Sequence, residues 1–143
     1  MDNIDAIINI IKIQFPKLYI TTVVDDNLKF HPENDDGHIE YKRKLSDCTD
    51  IKSAKYTTQM RWRIMQNMKG QYAIYYIGVD DDGSIIGLDN DELVASIKKF
   101  VSIADVIGAS ITGIKIIGTN NKIILQIGVK NKKLKDNYLV EFD

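Results

Sequence analysis

Acidic residues and one lysine within the first 80 positions have the types and order of a divalent-metal site. Asp35 and Asp36 lie in an acidic loop, Glu40 lies in an alternating segment, and Asp80 ends an apolar segment. Carboxylate oxygens are preferred ligands of Mg²⁺ and Mn²⁺, and Lys42 would stabilise a phosphate. One interpretation is metal-dependent phosphodiester cleavage by Asp35 or Asp36, Glu40 and Asp80. The alternative is that Glu40 and Lys42 form a solvated pair on one side of a strand.

The three aspartates in YYIGVDDDGSIIGL, residues 75–88, also have two interpretations. Asp82-Gly83 between apolar segments is typical of a β-hairpin, in a type I′ turn or a type I turn with a bulge. A calcium loop would need spaced carboxylates and a distal glutamate. We therefore expect Asp81, Asp82 and Gly83 to form the turn. Asp80 alone keeps a catalytic interpretation, which depends on Glu40.

A basic stripe in KSAKYTTQMRWRIMQNMKG, residues 52–70, indicates a different chemistry. On a helical wheel one side carries Lys52, Lys55, Gln59, Arg63 and Gln66, with Trp62 at its edge. Such a stripe suits phosphate and base contacts, or else it is a solvated face with Trp62 in the core. Arg61 falls between apolar positions and either pairs with a buried carboxylate such as Glu40 or makes a functional contact. The candidate nucleic-acid contacts are Lys42, Lys44, Lys55, Gln59, Arg61, Trp62 and Arg63.

Apolar periodicity predicts that helices and hairpins position these residues. Helices are expected over 2–14, over 50–67, and from a cap within Asp89-Asn90-Asp91 to Gly108. Strands are expected over 18–24, 39–45, 71–79 and 84–88, with a second hairpin around Thr119-Asn120-Asn121. Alternation in 39–45 places Ile39, Tyr41 and Leu45 on one face and Glu40, Lys42 and Lys44 on the other. The expected fold is α+β, a mixed or antiparallel sheet of hairpins packed with about three helices.

Composition bounds the class of protein. The 143 residues, 44% of them apolar, fit one ordinary soluble domain. A net charge of −1 gives no general attraction to nucleic acid or membranes, so RNA binding needs a local basic patch. The single Cys48 excludes a disulfide within these residues and favours a reducing, cytoplasmic location. No apolar run is long enough to span a bilayer.

Three blocks of sequence follow one another in a specific order between roughly residues 37 and 115. They are GHIEYKRKL, TTQMRWRIMQNMKGQYAIYYIGVDDDGSIIGL and DNDELVASIKKFVSIADVIGASIT. Together they resemble the region ahead of the GTPase domain in the GTP-binding protein 1 and 2 group of translational GTPases, relatives of elongation factor Tu. Gln71 and Asp80 depart from the family, which has glutamate at both positions.

The resemblance implies an accessory domain cut from a longer protein. Residues 1–35 would be an N-terminal helix and acidic loop, 36–130 the accessory domain, and 131–143 a charged linker toward a missing GTPase domain, with a further strand at 138–142. GTP and Mg²⁺ would belong to the full-length GTPase, and this part would carry no cofactor and no catalytic residue. Its expected partners are RNA (tRNA, mRNA or the ribosome) and its own GTPase domain, and no membrane.

A second resemblance overlaps the first. The IEYK segment, the helix after it and IGVDDDGSIIG are similar to the Alba-like domain of Schlafen proteins. Some Schlafens are metal-dependent RNases with three carboxylates, whose places are taken here by Asp35, Glu40 and Asp80. This resemblance implies the alternative function, an endoribonuclease that uses Mg²⁺ or Mn²⁺ with help from Lys42. Gly70-Gln71 departs from the Gly-Gly of that family.

Overall fold

The computed structural model describes residues 4–46, 49–67 and 70–132. Within these residues the chain forms three helices and five strands. In chain order they are α1 (Ile4–Gln14), β1 (Ile20–Val24), β2 (Ile39–Lys42), α2 (Asp50–Gln66), β3 (Tyr72–Ile77), α3 (Asn90–Ile107), β4 (Ala109–Thr119) and β5 (Lys122–Asn131). The predicted α+β class is confirmed. The predicted strand at 138–142 lies outside the described residues.

The ends of the helices follow from local side chains. Thr49 caps α2, since its hydroxyl accepts a hydrogen bond from the Lys52 backbone N–H at 3.2 Å. At the start of α3, Asp89 and Glu92 each accept a hydrogen bond from the other's backbone N–H, which is a capping box. Gly108 ends α3 with φ of 75°. The predicted cap and the predicted end of α3 are therefore confirmed.

The five strands form one mixed sheet in the order β1-β4-β5-β3-β2. β4 and β5 make the predicted hairpin, and β5 also pairs antiparallel with β3. Both edge strands pair parallel with their neighbours, β1 with β4 and β2 with β3. Parallel neighbours need long crossover connections, and here α2 connects β2 to β3.

The predicted strand at 84–88 was wrong, because this segment makes only an isolated bridge between Val79 and Ile85. Gly78 and Gly87 have φ of 102° and 86°, which interrupt the extended backbone on both sides of the turn. The backbone N–H groups of Ile86 and Gly87 both donate to the Gly78 carbonyl, at 2.8 and 3.0 Å. The chain therefore curls around Gly78 instead of extending the sheet.

The main core lies between one face of the sheet and the three helices. Its buried members include Ile11, Phe100, Tyr75 and Ile127, from α1, α3, β3 and β5. Residues 4–24, which the sequence grouped with a separate N-terminal segment, thus supply an edge strand and a helix to the same sheet and core. Within the described residues, no helix is long and apolar enough to cross a membrane.

A smaller apolar cluster covers part of the other face of the sheet. In the loop 25–38, Leu28 and Phe30 pack against Tyr41 and Tyr76, and the Phe30 ring lies edge-on 4.7 Å from the Tyr76 ring. Leu45 joins the main core instead, so the expectation that it shares a face with Tyr41 was wrong. The reason is that β2 ends at Lys42 and its alternation does not continue.

Candidate functional site: a polar groove above a buried charge network

A polar groove of about 1000 Å³ runs between the end of β2, the turn after β3 and the first turns of α2 and α3. Its cationic lining residues are Lys42, Arg43, Lys44, Lys52 and Lys122. Its carboxylates are Asp80, Asp81, Asp89 and Glu92, and Tyr56 contributes an aromatic ring. The groove thus contains two of the predicted nucleic-acid contacts and one of the predicted metal ligands.

The aspartate turn forms one side of this groove. The Gly83 N–H donates to the Asp80 carbonyl at 2.9 Å, and the Asp80 N–H donates to the Ser84 carbonyl at 2.9 Å. Only Gly83 in this turn has positive φ, at 91°, so a type I′ turn is excluded and the turn is type I followed by a glycine bulge. Asp82 accepts a hydrogen bond from Ser84, which lowers the pKa of its carboxyl. The turn predicted at Asp81, Asp82 and Gly83 is confirmed, although only the Val79–Ile85 bridge joins its two sides as a β-pair.

Beneath the groove lies a buried ion pair between Glu40 and Arg63. The Arg63 Nε donates to Glu40 Oε1 at 3.1 Å, and its Nη1 donates to the Gly37 carbonyl at 3.0 Å. Lys42 lies 3.3 Å from the other oxygen of Glu40. The expectation of a solvated Glu40 was wrong: the carboxylate is 1% exposed. It faces α2, which packs over this edge of the sheet and supplies the compensating charge.

Glu33 extends this network from the loop 25–38. Its carboxylate accepts a hydrogen bond from the Tyr41 N–H at 2.5 Å, and its own N–H donates to the Asp81 carbonyl at 2.7 Å. Burial, together with the adjacent Glu40 carboxylate, raises the pKa of Glu33 to about 7. Sequence reasoning missed this residue among many loop acids. The signal available was the apolar pair Leu28 and Phe30, which indicates that this loop packs on the sheet.

The structure does not gather the predicted metal ligands. Asp35 and Asp36 are exposed, Asp80 is half-buried, and Glu40 is paired with Arg63. Among the described residues, no three histidine, cysteine, aspartate or glutamate side chains are placed to hold a metal ion. The geometry therefore gives no support to the nuclease alternative.

The predicted nucleic-acid contacts divide into accessible and inaccessible side chains. Lys44 and Lys55 are exposed, and Lys42 lies with its Nζ 4.5 Å from the centre of the Tyr56 ring. Gln59 and Arg61 are half-buried. Trp62 is 40% exposed, so the alternative that placed it in the core was wrong. The contact role of these residues remains a prediction.

Arg63 is buried, in contrast to the prediction that it is a nucleic-acid contact. At 3% exposure it does not belong to an accessible stripe, because its guanidinium lies between Glu40 and the Gly37 carbonyl. The sequence had suggested Arg61 as the partner of Glu40, and it is Arg63 that takes this place. Of the other members of the stripe, Lys52, Lys55 and Gln66 are exposed and Gln59 is half-buried.

Fold and site together define an α+β domain with one mixed sheet, helices on one face, and a polar groove at the edge of β2. The chain is 51% identical over 122 residues to uncharacterized protein R625 of Acanthamoeba polyphaga mimivirus, which covers 85% of this chain and 65% of that protein. It is 42% identical over 81 residues to GTP-binding protein 2 of mouse and of human, which covers 57% of this chain and 13% of those proteins.

The mouse and human matches relate the chain to a GTP-binding protein. The chain spans less than two thirds of each of these relatives. No family model and no solved structure matches it. The resemblance to Schlafen proteins gains no support from these comparisons.

Proposed function

We propose that this chain is an accessory domain of a larger protein related to GTP-binding protein 2, and that it contacts RNA. The 42% identity over 81 residues supports the relation to that protein, and the exposed cations at the groove support the RNA contact. GTP and Mg²⁺ would be bound by another part of that protein, since these 143 residues contain no GxxxxGK[ST] phosphate loop. The RNA would be tRNA, mRNA or ribosomal RNA in a translation-related role.

The rim of the groove supports contact with a phosphate backbone. Arg43, Lys44 and Lys52 line it, and Lys55 lies one turn further along α2, all four exposed. The ion pair between Lys44 and Glu92, at 3.4 Å, joins side chains that are 41% and 27% exposed. Such an exposed pair stabilises the fold little, so Lys44 can exchange its partner for a phosphate.

The carboxylates of the groove are partly engaged by the backbone. Asp80 accepts from the Asp81 N–H at 2.8 Å, and Asp89 accepts from the Glu92 N–H at 2.8 Å. Glu92 accepts in turn from the Asp89 N–H at 3.0 Å. Each of these carboxylates keeps its negative charge, so the proposed phosphate contact depends on the five cations of the groove, which exceed its four carboxylates by one.

Titration of labelled tRNA at several salt concentrations tests the proposal. The triple variant Lys44→Ala, Lys52→Ala, Lys55→Ala should bind more weakly, with the slope of log affinity against log salt reduced by up to about 3. The matched control removes three exposed lysines elsewhere, in Lys12→Ala, Lys17→Ala, Lys98→Ala. If both triple variants lose the same affinity and slope, the groove is not the contact surface.

A docking role on the GTPase domain is the other outcome of this test. If tRNA and ribosomes do not bind the wild-type chain, the RNA contact is wrong. Adding residues 1–143 to the GTPase domain would then reveal docking as a change in GTP hydrolysis. The same groove variants should abolish that change if the groove is the docking surface.

A further inference from the structure

A second concave surface lies on the sheet face opposite the helices, away from the groove. It encloses about 500 Å³, a size typical of small-ligand sites. Of the residues that line it, Lys115 and Lys130 are the only ones that carry a formal charge, so the surface has cations and no carboxylate. This balance differs from that of the groove and favours an anionic ligand.

The floor of this depression is made by two glycines on adjacent strands. Gly113 of β4 and Gly128 of β5 are cross-strand partners, and Ile74 of β3 is the next partner of Gly128. Neither glycine has a side chain of its own, and parts of Tyr19 and Thr112 lie within 4 Å of where their Cβ atoms would be. The irregularity of β4 between Ile111 and Gly113 brings the Thr112 hydroxyl over Gly128, so one polar group faces the floor.

Two tyrosines stand on opposite sides of this floor. Tyr72 opens β3 and is 38% exposed, and Tyr19 precedes β1 and is 71% exposed. β5 and β4 lie between β3 and β1, so the backbones of β3 and β1 are about 14 Å apart, or three strand spacings. The Tyr19 ring reaches over β4, since a Cβ at Gly113 would lie 3.7 Å from its Cδ1. The His38 ring lies edge-on 4.9 Å from the Tyr72 ring and supports its orientation.

The depression between Tyr72 and Tyr19 is open, whereas another part of this sheet face is covered by the loop 25–38. Leu28 and Phe30 of the loop 25–38 cover Tyr41 and Tyr76. Within residues 4–46, 49–67 and 70–132, no comparable apolar cluster covers the area between Tyr72 and Tyr19. The loop 25–38 thus covers the part of the face around Tyr41 and Tyr76, and the part that carries the two glycines and two lysines stays open.

We propose that this depression binds unpaired nucleotides of a single-stranded nucleic acid. A base stacks on Tyr72, and Lys115 and Lys130 meet the flanking phosphates. Stacking of bases on exposed aromatics of a sheet, beside cations that follow the backbone, is a general mode of single-strand binding. Gln126, the cross-strand partner of Lys115, and Thr112 supply hydrogen-bonding groups for a base edge. This site does not depend on the groove.

Binding of labelled RNA and DNA oligonucleotides of about ten nucleotides, a length typical of such sites, tests the proposal. Tyr72→Ala should weaken binding at least about fivefold, whereas Tyr72→Phe, which keeps the ring, should bind as wild type. Lys115→Ala with Lys130→Ala should weaken binding and reduce its salt dependence. The matched control is Lys12→Ala with Lys98→Ala, and circular dichroism checks that each variant is folded.

The outcomes separate this site from the groove. Loss of binding in Tyr72→Ala with retention in Tyr72→Phe supports the sheet-face site. A preference for RNA over DNA would indicate an additional contact to the 2′-hydroxyl. Absence of binding to either strand, equal competition by duplex RNA, or unchanged affinity of Tyr72→Ala would each overturn the sheet-face site. If Lys44→Ala with Lys52→Ala weakens oligonucleotide binding and Tyr72→Ala does not, the strand lies in the groove, and only the sheet-face proposal fails.

Discussion

Arg63 and Glu40, separated by 23 positions in the sequence, form an ion pair enclosed by the protein. Their Nε and Oε1 atoms are 3.1 Å apart, and the side chains are 3% and 1% exposed. A buried carboxylate is tolerated only when it is paired and hydrogen-bonded. The pair therefore ties the last turn of α2 to the edge strand β2.

Replacing Arg63 by methionine should strongly destabilise the fold. The variant leaves the Glu40 carboxylate buried without its main partner, and we expect the free energy of unfolding to fall by about 3–5 kcal/mol. We expect the lower end of this range, because Lys42, 3.3 Å from Glu40, still partly compensates its charge. Urea unfolding measures the loss. The control Arg43→Met, at an exposed arginine, should stay within about 0.5 kcal/mol of wild type. An equal fall in the free energy of unfolding in Arg63→Met and Arg43→Met would contradict the structural role of the Arg63–Glu40 pair.

Glu33 should make stability depend on pH in the direction opposite to that of an acid whose pKa is lowered by folding. Its pKa is raised from 4.5 to about 7 in the folded protein, so between these values the folded state binds more protons there than the unfolded chain. The free energy of unfolding that this group contributes is therefore fully present below pH 4.5 and is lost as pH rises to about 7. Partial exposure of Glu33 reduces the amplitude.

The variant Glu33→Gln isolates this effect. Glutamine resembles the protonated acid and can accept the hydrogen bond from Tyr41 and donate one to Glu40. The difference in unfolding free energy between wild type and variant should fall across pH 4.5 to 7 and then level off. Glu40, Asp81 and Tyr41 face Glu33, and all three are unchanged in the variant. A difference that stays constant with pH would show that Glu33 titrates normally.

Gly83 is expected to be far less tolerant of substitution than Gly37. Both have positive φ, at 91° and 95°, so alanine strains the backbone at either position. A Cβ at Gly83 would also lie 2.5 Å from the Phe30 carbonyl oxygen, whereas one at Gly37 meets nothing within 4 Å. We expect Gly83→Ala to cost about 2 kcal/mol or more and Gly37→Ala about 1 kcal/mol. Equal losses in thermal unfolding would mean that the loop 25–38 does not pack on the turn as described.

Two Tyr→Phe variants should have opposite effects. The Tyr75 hydroxyl is buried and has no hydrogen-bond partner among the described residues, so Tyr75→Phe should be neutral or stabilise by about 1 kcal/mol. The Tyr41 hydroxyl donates to the His31 carbonyl at 2.8 Å, so Tyr41→Phe should cost about 0.5–1.5 kcal/mol. Denaturant unfolding compares the two. A clear loss of stability in Tyr75→Phe would indicate a partner for its hydroxyl outside the described residues.

Features that depend on a few consecutive residues were predictable from the sequence. The Asp82-Gly83 turn, the Asp89 cap and the Gly108 helix end are each determined by side chains or φ preferences within four or five positions. The helix and strand pattern also followed, because apolar periodicity reports which side of an element is buried. The exception, the strand predicted at 84–88, failed because Gly78 and Gly87 both take positive φ.

The candidate site depended on contacts between distant segments. Alternation in the sequence placed Glu40 and Lys42 on one side of a strand, and only the packing of α2 made that side an interior. Glu40 pairs with Arg63 and not with Arg61 because of where α2 packs on the sheet. The pKa of Glu33 is likewise raised where the loop 25–38 meets β2. A side chain's own sequence determines its chemistry and local conformation. Its solvation and its charged neighbours are decided by segments that lie far away in the chain, and these exist only in the folded structure.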